Sequence, residues 1–141
     1  MKKFAAFALA LAVALPMGAT NAIAMDNAQS YNKKLAKKGK KVAIKQCFAC
    51  HDITKKKQIK VGPPLWGVYG KNPGHAEGYQ YSDAHLSKKD AITWDAATLD
   101  AYMQDPKALI PGNKMVYPIP GQKKMSDKQR GYVIEFLKSL K

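Results

Sequence analysis

"KQCFACHD", residues 45–52, holds both cysteines of the chain and one of its three histidines. Cys47, Cys50 and His51 stand at i, i+3 and i+4, the offsets that share one face of a helical turn. Such a face can carry a redox-active dithiol, a metal clasp or the anchor of a covalently bound cofactor. Two cysteines in an oxidising compartment can also simply form a disulfide. Compartment and the remainder of the chain decide among these.

The chain opens with MKKFAAFALALAVALPMGATNAIA, residues 1–24. Lys2 and Lys3 form a basic start, an apolar run follows from Phe4 to about Leu15, and Ala22-Ile23-Ala24 supplies a small-x-small cleavage pattern. The expectation is a secretory signal cut after about Ala24, with export to a periplasm. The apolar run is too short to span a bilayer comfortably. Residues 25–31 are polar and expected to be flexible, and 32–141 is the length of one small domain. The formal net charge is +14. A basic exported chain is expected to meet acidic proteins, or transiently an anionic membrane surface, and not nucleic acid.

From about Asn32 to Cys50 the pattern is that of an amphipathic helix, with Leu35, Gly39, Val42, Ala43 and Cys47 on one face and lysines over the rest. Gly39 costs helix stability there, which a very close neighbouring helix would justify. Residues 52–81 are rich in Gly, Pro and aromatics, the composition of loops. Ser82 can open a short helix. Asp95 reads as an N-cap flanked by the apolar pair Trp94 and Leu99, and that helix should stop near Asp105, before Pro106. Residues 106–125 read as another loop. Ser126-Asp127-Lys128-Gln129 is a capping box that starts a final helix carrying Tyr132, Val133, Phe136, Leu137 and Leu140. No strand alternation appears. Loops this long make sense if they wrap an apolar body that the polypeptide does not supply.

That picture decides the opening motif. A dithiol oxidoreductase would set its Cys-x-x-Cys beside a strand, but here a lysine-rich helix precedes it. Structural zinc wants four ligands, and no second Cys pair or His-x₃₋₅-His follows. Cys-x-x-Cys-His is the attachment signature of a c-type haem, with thioethers from Cys47 and Cys50 and His51 as iron ligand. For the other axial position the residues alone leave His75, His85, Met103, Met115, Met125, a lysine or water. Met115 stands apart because it lies on a proline-bounded loop and not on a helix face.

The stretches GKKVAIKQCFACH, GPPLWGVYGK, GYQYSDAH and TWDAATLDAYMQDPKALIPGNKM, followed by a short C-terminal helix, resemble a class I monohaem cytochrome c from about Gly39 onward. The resemblance implies an all-α globule of three to five helices with long loops around one covalent haem c per chain. Its first and last helices would cross at Gly39, facing Phe136. It also implies Met115 as the second axial ligand, at the end of the PG-x-K-M segment. Pro63 resembles the proline whose carbonyl orients the axial histidine. Tyr81 and Trp94 resemble propionate donors, Tyr102 the tyrosine near the axial sulfur, and Leu65 and Asn113 belong to the haem surroundings. Three positions depart from the pattern: Asn113 replaces a hydroxyl residue, His85 an asparagine and Lys71 an arginine.

With both axial positions filled by protein, no coordination site is left for a substrate. The expected function is outer-sphere electron carriage by a soluble, periplasmic monomer and not catalysis. The alternative is a peroxidase or ligand sensor with a labile sixth ligand. Lys40, Lys41, Lys45, Lys60, Lys107 and Lys114 come from segments that flank the exposed haem edge in the family. They imply acidic redox partners: a quinol-oxidising complex, a terminal oxidase or a periplasmic dehydrogenase.

Overall fold

The first helix, α1 (Lys33–Gln46), starts where the Asn32 side chain accepts the backbone N–H groups of Lys34 and Leu35, both at 3.0 Å. In the computed structural model, which describes residues 30–141, four more helices follow. These are α2 (Asp83–Leu86), α3 (Ala96–Gln104), α4 (Pro106–Leu109) and α5 (Asp127–Lys138). The described residues contain no strand. The expected leader and most of the segment 25–31 lie outside the described residues. No described helix is long and apolar enough to cross a membrane.

Helix α1 buries Ala36, Gly39 and Ala43, spaced at three and four residues, and leaves its lysines to solvent. That stripe packs on α5, whose buried face is Val133, Ile134, Phe136 and Leu137. Gly39 is the point of closest approach. A Cβ there would overlap the Tyr132 carbonyl and stand 2.9 Å from the Phe136 Cβ, so the close crossing admits only glycine. Helix α3 packs on both α5 and α4.

Polar ties lock this frame. Arg130 of α5 is 6% exposed, and its guanidinium binds both Asp100 oxygens on α3, at 2.8 and 3.2 Å, as well as Asp127. Glu135 joins α1 to α5: it accepts the Asn32 N–H at the start of α1 and pairs with Lys138 at 2.8 Å. The Ser126–Gln129 capping box starts α5 as expected. Asp95 accepts the Thr98 N–H at 2.8 Å to start α3, with Trp94 and Leu99 both in the buried core.

Two expectations need correction. The first helix does not reach Cys50: it ends at Gln46, and residues 47–50 are a turn. Nor is 106–125 wholly loop, because Pro106–Leu109 forms one helical turn. Asp105 ends α3 and caps α4, accepting Lys107 N–H and Ala108 N–H at 3.1 Å. Pro106 sits at the first helical position, where its missing N–H costs nothing.

Gly39→Ala is expected to lower stability by about 3 kcal/mol through overpacking at the crossing, read from thermal or denaturant unfolding. A second test concerns pH. Glu135 has its carboxyl held below the ordinary value: burial opposes this, but the Lys138 and Asn32 hydrogen bonds prevail. A depressed folded pKa adds stability above the unfolded value of about 4.3 and loses it as pH falls through the folded value. Glu135→Gln should therefore cost about 1 kcal/mol at pH 7, and the difference from the parent should close below about pH 4.

Candidate cofactor site

The chain leaves α1 through a turn that preserves helical contact distances. Cys47 N–H donates to Ala43 O at 2.8 Å, Cys50 N–H to Cys47 O at 3.0 Å, and His51 N–H to the same Cys47 O at 2.9 Å. The motif thus keeps its i, i+3, i+4 geometry on a single turn of its own. Cys47, Cys50 and His51 all line one cavity of about 530 Å³. Aliphatic and aromatic side chains complete its walls, among them Leu65, Val68, Trp94, Leu99 and Tyr102. That size and lining suit a large, flat, mainly apolar group.

His51 is held in one orientation. Its Nδ1 lies 2.7 Å from Pro63 O. A carbonyl only accepts, so Nδ1 carries the proton and Nε2 keeps its lone pair, the tautomer a metal requires. Gly62 also lies against the ring, where a Cβ would come 2.7 Å from Nδ1. Burial first, and the Lys60 charge as well, push His51 below the ordinary imidazole pKa, while the Pro63 bond opposes them. The ring is therefore neutral at pH 7 and able to bind a metal.

The rival chemistries fit poorly. Cys47 and Cys50 are free thiols, not a disulfide. Burial, with Cys50 adding to it, pushes the Cys47 thiol up to about 12, whereas dithiol exchange needs a thiolate. Among the described residues no group of three or more His, Cys, Asp or Glu side chains is placed to hold a metal ion, which a zinc clasp built from protein alone would need.

Met115, Pro63, Tyr81 and Tyr102 line the same cavity, as do Met103 and Met125. The three methionines differ in setting. Met103 and Met125 are 7% and 5% exposed and belong to the hydrophobic core, whereas Met115 is half-buried on its loop. Asn113 does not line the cavity but stands behind that loop, 6% exposed. Its Oδ1 accepts Met115 N–H at 2.8 Å and Tyr102 Oη–H at 3.4 Å, while its Nδ2 donates to Pro106 O and Ile110 O at 2.7 and 2.6 Å. The carboxamide uses both ends, so the departure at this position adds ties between the methionine loop and α4. Gly112, at φ +84°, makes the turn before it, with Ala84 within 3.2 Å of where a Cβ would stand.

The lysines separate. Lys114 lines the cavity and reaches Gln80 O at 3.5 Å. Lys60 bonds to Phe48 O, with its ammonium 4.1 Å from the centre of the Phe48 ring. Lys45 is tied through its carbonyl to Gln122, a cavity residue. Lys41 and Lys107 are exposed. Lys40 lines a second groove, with Ile44, Phe48 and Trp66, that shares no residue with the first.

Some site residues escaped the sequence reading. Tyr79 lines the cavity and donates its Oη–H to Val61 O at 3.0 Å. Tyr117 accepts Met125 N–H at 2.9 Å and donates to Gln46 at 3.2 Å, tying the cavity wall to the end of α1. The aromatic spacing of GYQY was the available signal for Tyr79. Nothing local marked Tyr117.

Comparison with known proteins agrees with this chemistry. The family model described as "Cytochrome c" matches residues 36–141. The chain is 47% identical over 95 residues to "Cytochrome c2 iso-2" of Magnetospirillum molischianum, covering 67% of this chain and 91% of that protein. It is 45% identical over 98 residues to "Cytochrome c-550" of Nitrobacter winogradskyi, covering 68% and 86%. To "Cytochrome c" of the yeast Kluyveromyces lactis it is 40% identical over 98 residues, covering 70% and 86%. A single Cys-x-x-Cys pair lining a helix-framed apolar cavity is what one covalent haem c requires, and the chain belongs to the cytochrome c family as a class I monohaem member.

Proposed function

We propose that this chain is a periplasmic one-electron carrier whose haem iron is bound by His51 on one side and Met115 on the other. When bound, the haem supplies one-electron exchange at its iron. The chain's own residues do the rest. Cys47 and Cys50 provide the thioether bonds that keep the group from leaving. His51 offers Nε2 because Pro63 holds the proton on Nδ1. Met115 offers a soft thioether, which favours the ferrous state and raises the potential relative to more basic ligands.

One observation carries the assignment of Met115: of the three cavity methionines it alone is outside the packed core, and Asn113 fixes its backbone. The same bonds argue against the peroxidase or ligand-sensor reading. They hold the backbone of that loop in place behind Met115, which favours a fixed ligand over a labile one.

Electron exchange with a partner needs an accessible edge. Val61 and Val116, 77% and 62% exposed, are apolar residues on the cavity's rim and mark its mouth. Lys114 stands beside them, and Lys60 precedes Val61 in the chain. An apolar mouth with cationic neighbours suits brief docking to acidic redox proteins, with charge setting the encounter rate. A quinol-oxidising complex, a terminal oxidase or a periplasmic dehydrogenase meets that description. The periplasmic assignment rests on the leader reading of residues 1–24.

Replacing Met115 by His should abolish the ferric absorption band that reports iron–sulfur bonding. It should also lower the midpoint potential by on the order of 0.2 V, within the roughly 0.8 V span that axial ligands cover. An unchanged spectrum and potential would remove Met115 from the account. Reversing charge at the mouth, with Lys60→Glu and Lys114→Glu together, should slow reduction by an acidic partner about tenfold at low salt. Stopped-flow rates should converge as ionic strength passes about 0.15 M, where the screening length is about 8 Å.

A further inference from the structure

The described residues contain two histidines besides His51, and both line the haem cavity. They are held differently. Both ring nitrogens of His75 are buried and lack a hydrogen bond of normal geometry. His85, half-buried on the short helix α2, is held by ring contacts. It stacks on Tyr81 at 4.7 Å and 16°, with Trp94 at 5.7 Å and Tyr102 at 6.3 Å. Its nitrogens make no hydrogen bond among the described residues, and they are not sealed as those of His75 are. An imidazole that faces a cofactor cavity with its nitrogens open is positioned to sense a change of charge there.

We infer that His85 is a redox-linked proton site, binding one proton when the haem iron is reduced and releasing it when the iron is oxidised. The electron comes from one redox partner and leaves to another, and the proton comes from and returns to water. Reduction removes one positive charge from the cavity, so His85 holds a proton more tightly in the ferrous protein. A one-unit change of charge inside the same cavity acts on His85 directly, because an effective dielectric of about 20 screens it far less than water does.

The groups facing His85 set where this occurs. Burial, and next the neighbouring His75, hold His85 below the ordinary imidazole value. The other charged groups of this cavity and helix are Lys114, a cation lining the same cavity, and Asp83, an anion on α2, together with the carboxylates that haem carries. Burial raises Tyr81 and Tyr102 above the ordinary phenol value, so both stay neutral. His75 is a poor proton site itself, since burial lowers it first and Lys71 and Lys57 lower it further.

This inference rests on the haem occupying the cavity but not on Met115 being its ligand, and the test keeps the two apart. The midpoint potential of the holoprotein is measured from pH 4 to 9 for the parent, His85→Asn and His75→Gln, with the ferric iron–sulfur band recorded on each sample. The parent potential should be flat, then fall as pH rises through the ferric proton affinity, then level off above the ferrous one. For tenfold coupling the total drop is about 59 mV. His85→Asn should abolish that step, while His75→Gln should keep it and move it to higher pH. A step that survives in His85→Asn, or its absence from the parent, overturns the inference whatever the band shows. Loss of the band from the parent would instead overturn the Met115 assignment. If His85→Asn matures poorly, NMR titration of the parent's His85 ring in the two oxidation states decides: equal proton affinities overturn the inference.

Discussion

The chain encloses more space than it can fill. Protein interiors are packed as densely as organic crystals, and removing side chains to leave a void costs about 24 cal/mol per Å³. A cavity of about 530 Å³ with mainly apolar walls leaves those walls without packing partners unless a group fills it. The long loops between α1 and α3, and between α4 and α5, therefore owe their order to the group they surround. Cofactor and fold are one thermodynamic unit, and the covalent attachment prevents their separation.

The two terminal helices give that unit a frame. Glycine at position 39 lets α1 meet the backbone of α5, and α1 then releases the cysteine turn at a fixed place and angle. Helix α5 holds α3 through the Arg130–Asp100 fork, and α3 carries Tyr102 into the cavity. From the end of α3 the chain runs through Asp105 and α4 to the loop that presents Met115. The proposed axial ligands thus follow α1 and α4, two elements tied together through α5 and α3.

Much of this was legible in the sequence, because the signals are local. Cys-x-x-Cys-His, the Ser126–Gln129 box and the Asp95 cap are short patterns with one dominant physical reading. Gly39 was legible as an anomaly whose cause was tertiary. What escaped depends on distant partners. Arg130 reads as a surface charge until Asp100, thirty residues away, is placed beside it. Asn113 reads only as a departure from the family pattern until both ends of its carboxamide find partners. Helix α4 was hidden because Pro106 was read as a stop, although a proline after an aspartate can equally begin a helix. The separate settings of His75 and His85 depend on packing around their rings, which no pattern of neighbours encodes.

The central claim is that iron is held between an imidazole nitrogen and a thioether sulfur, both from this chain. X-ray absorption at the iron edge of the matured ferric protein tests it most directly, because sulfur scatters distinguishably from nitrogen. The account predicts one sulfur neighbour beside the nitrogens of the porphyrin and His51, and its loss in Met115→His. A first shell of nitrogen and oxygen alone in the parent protein would contradict it.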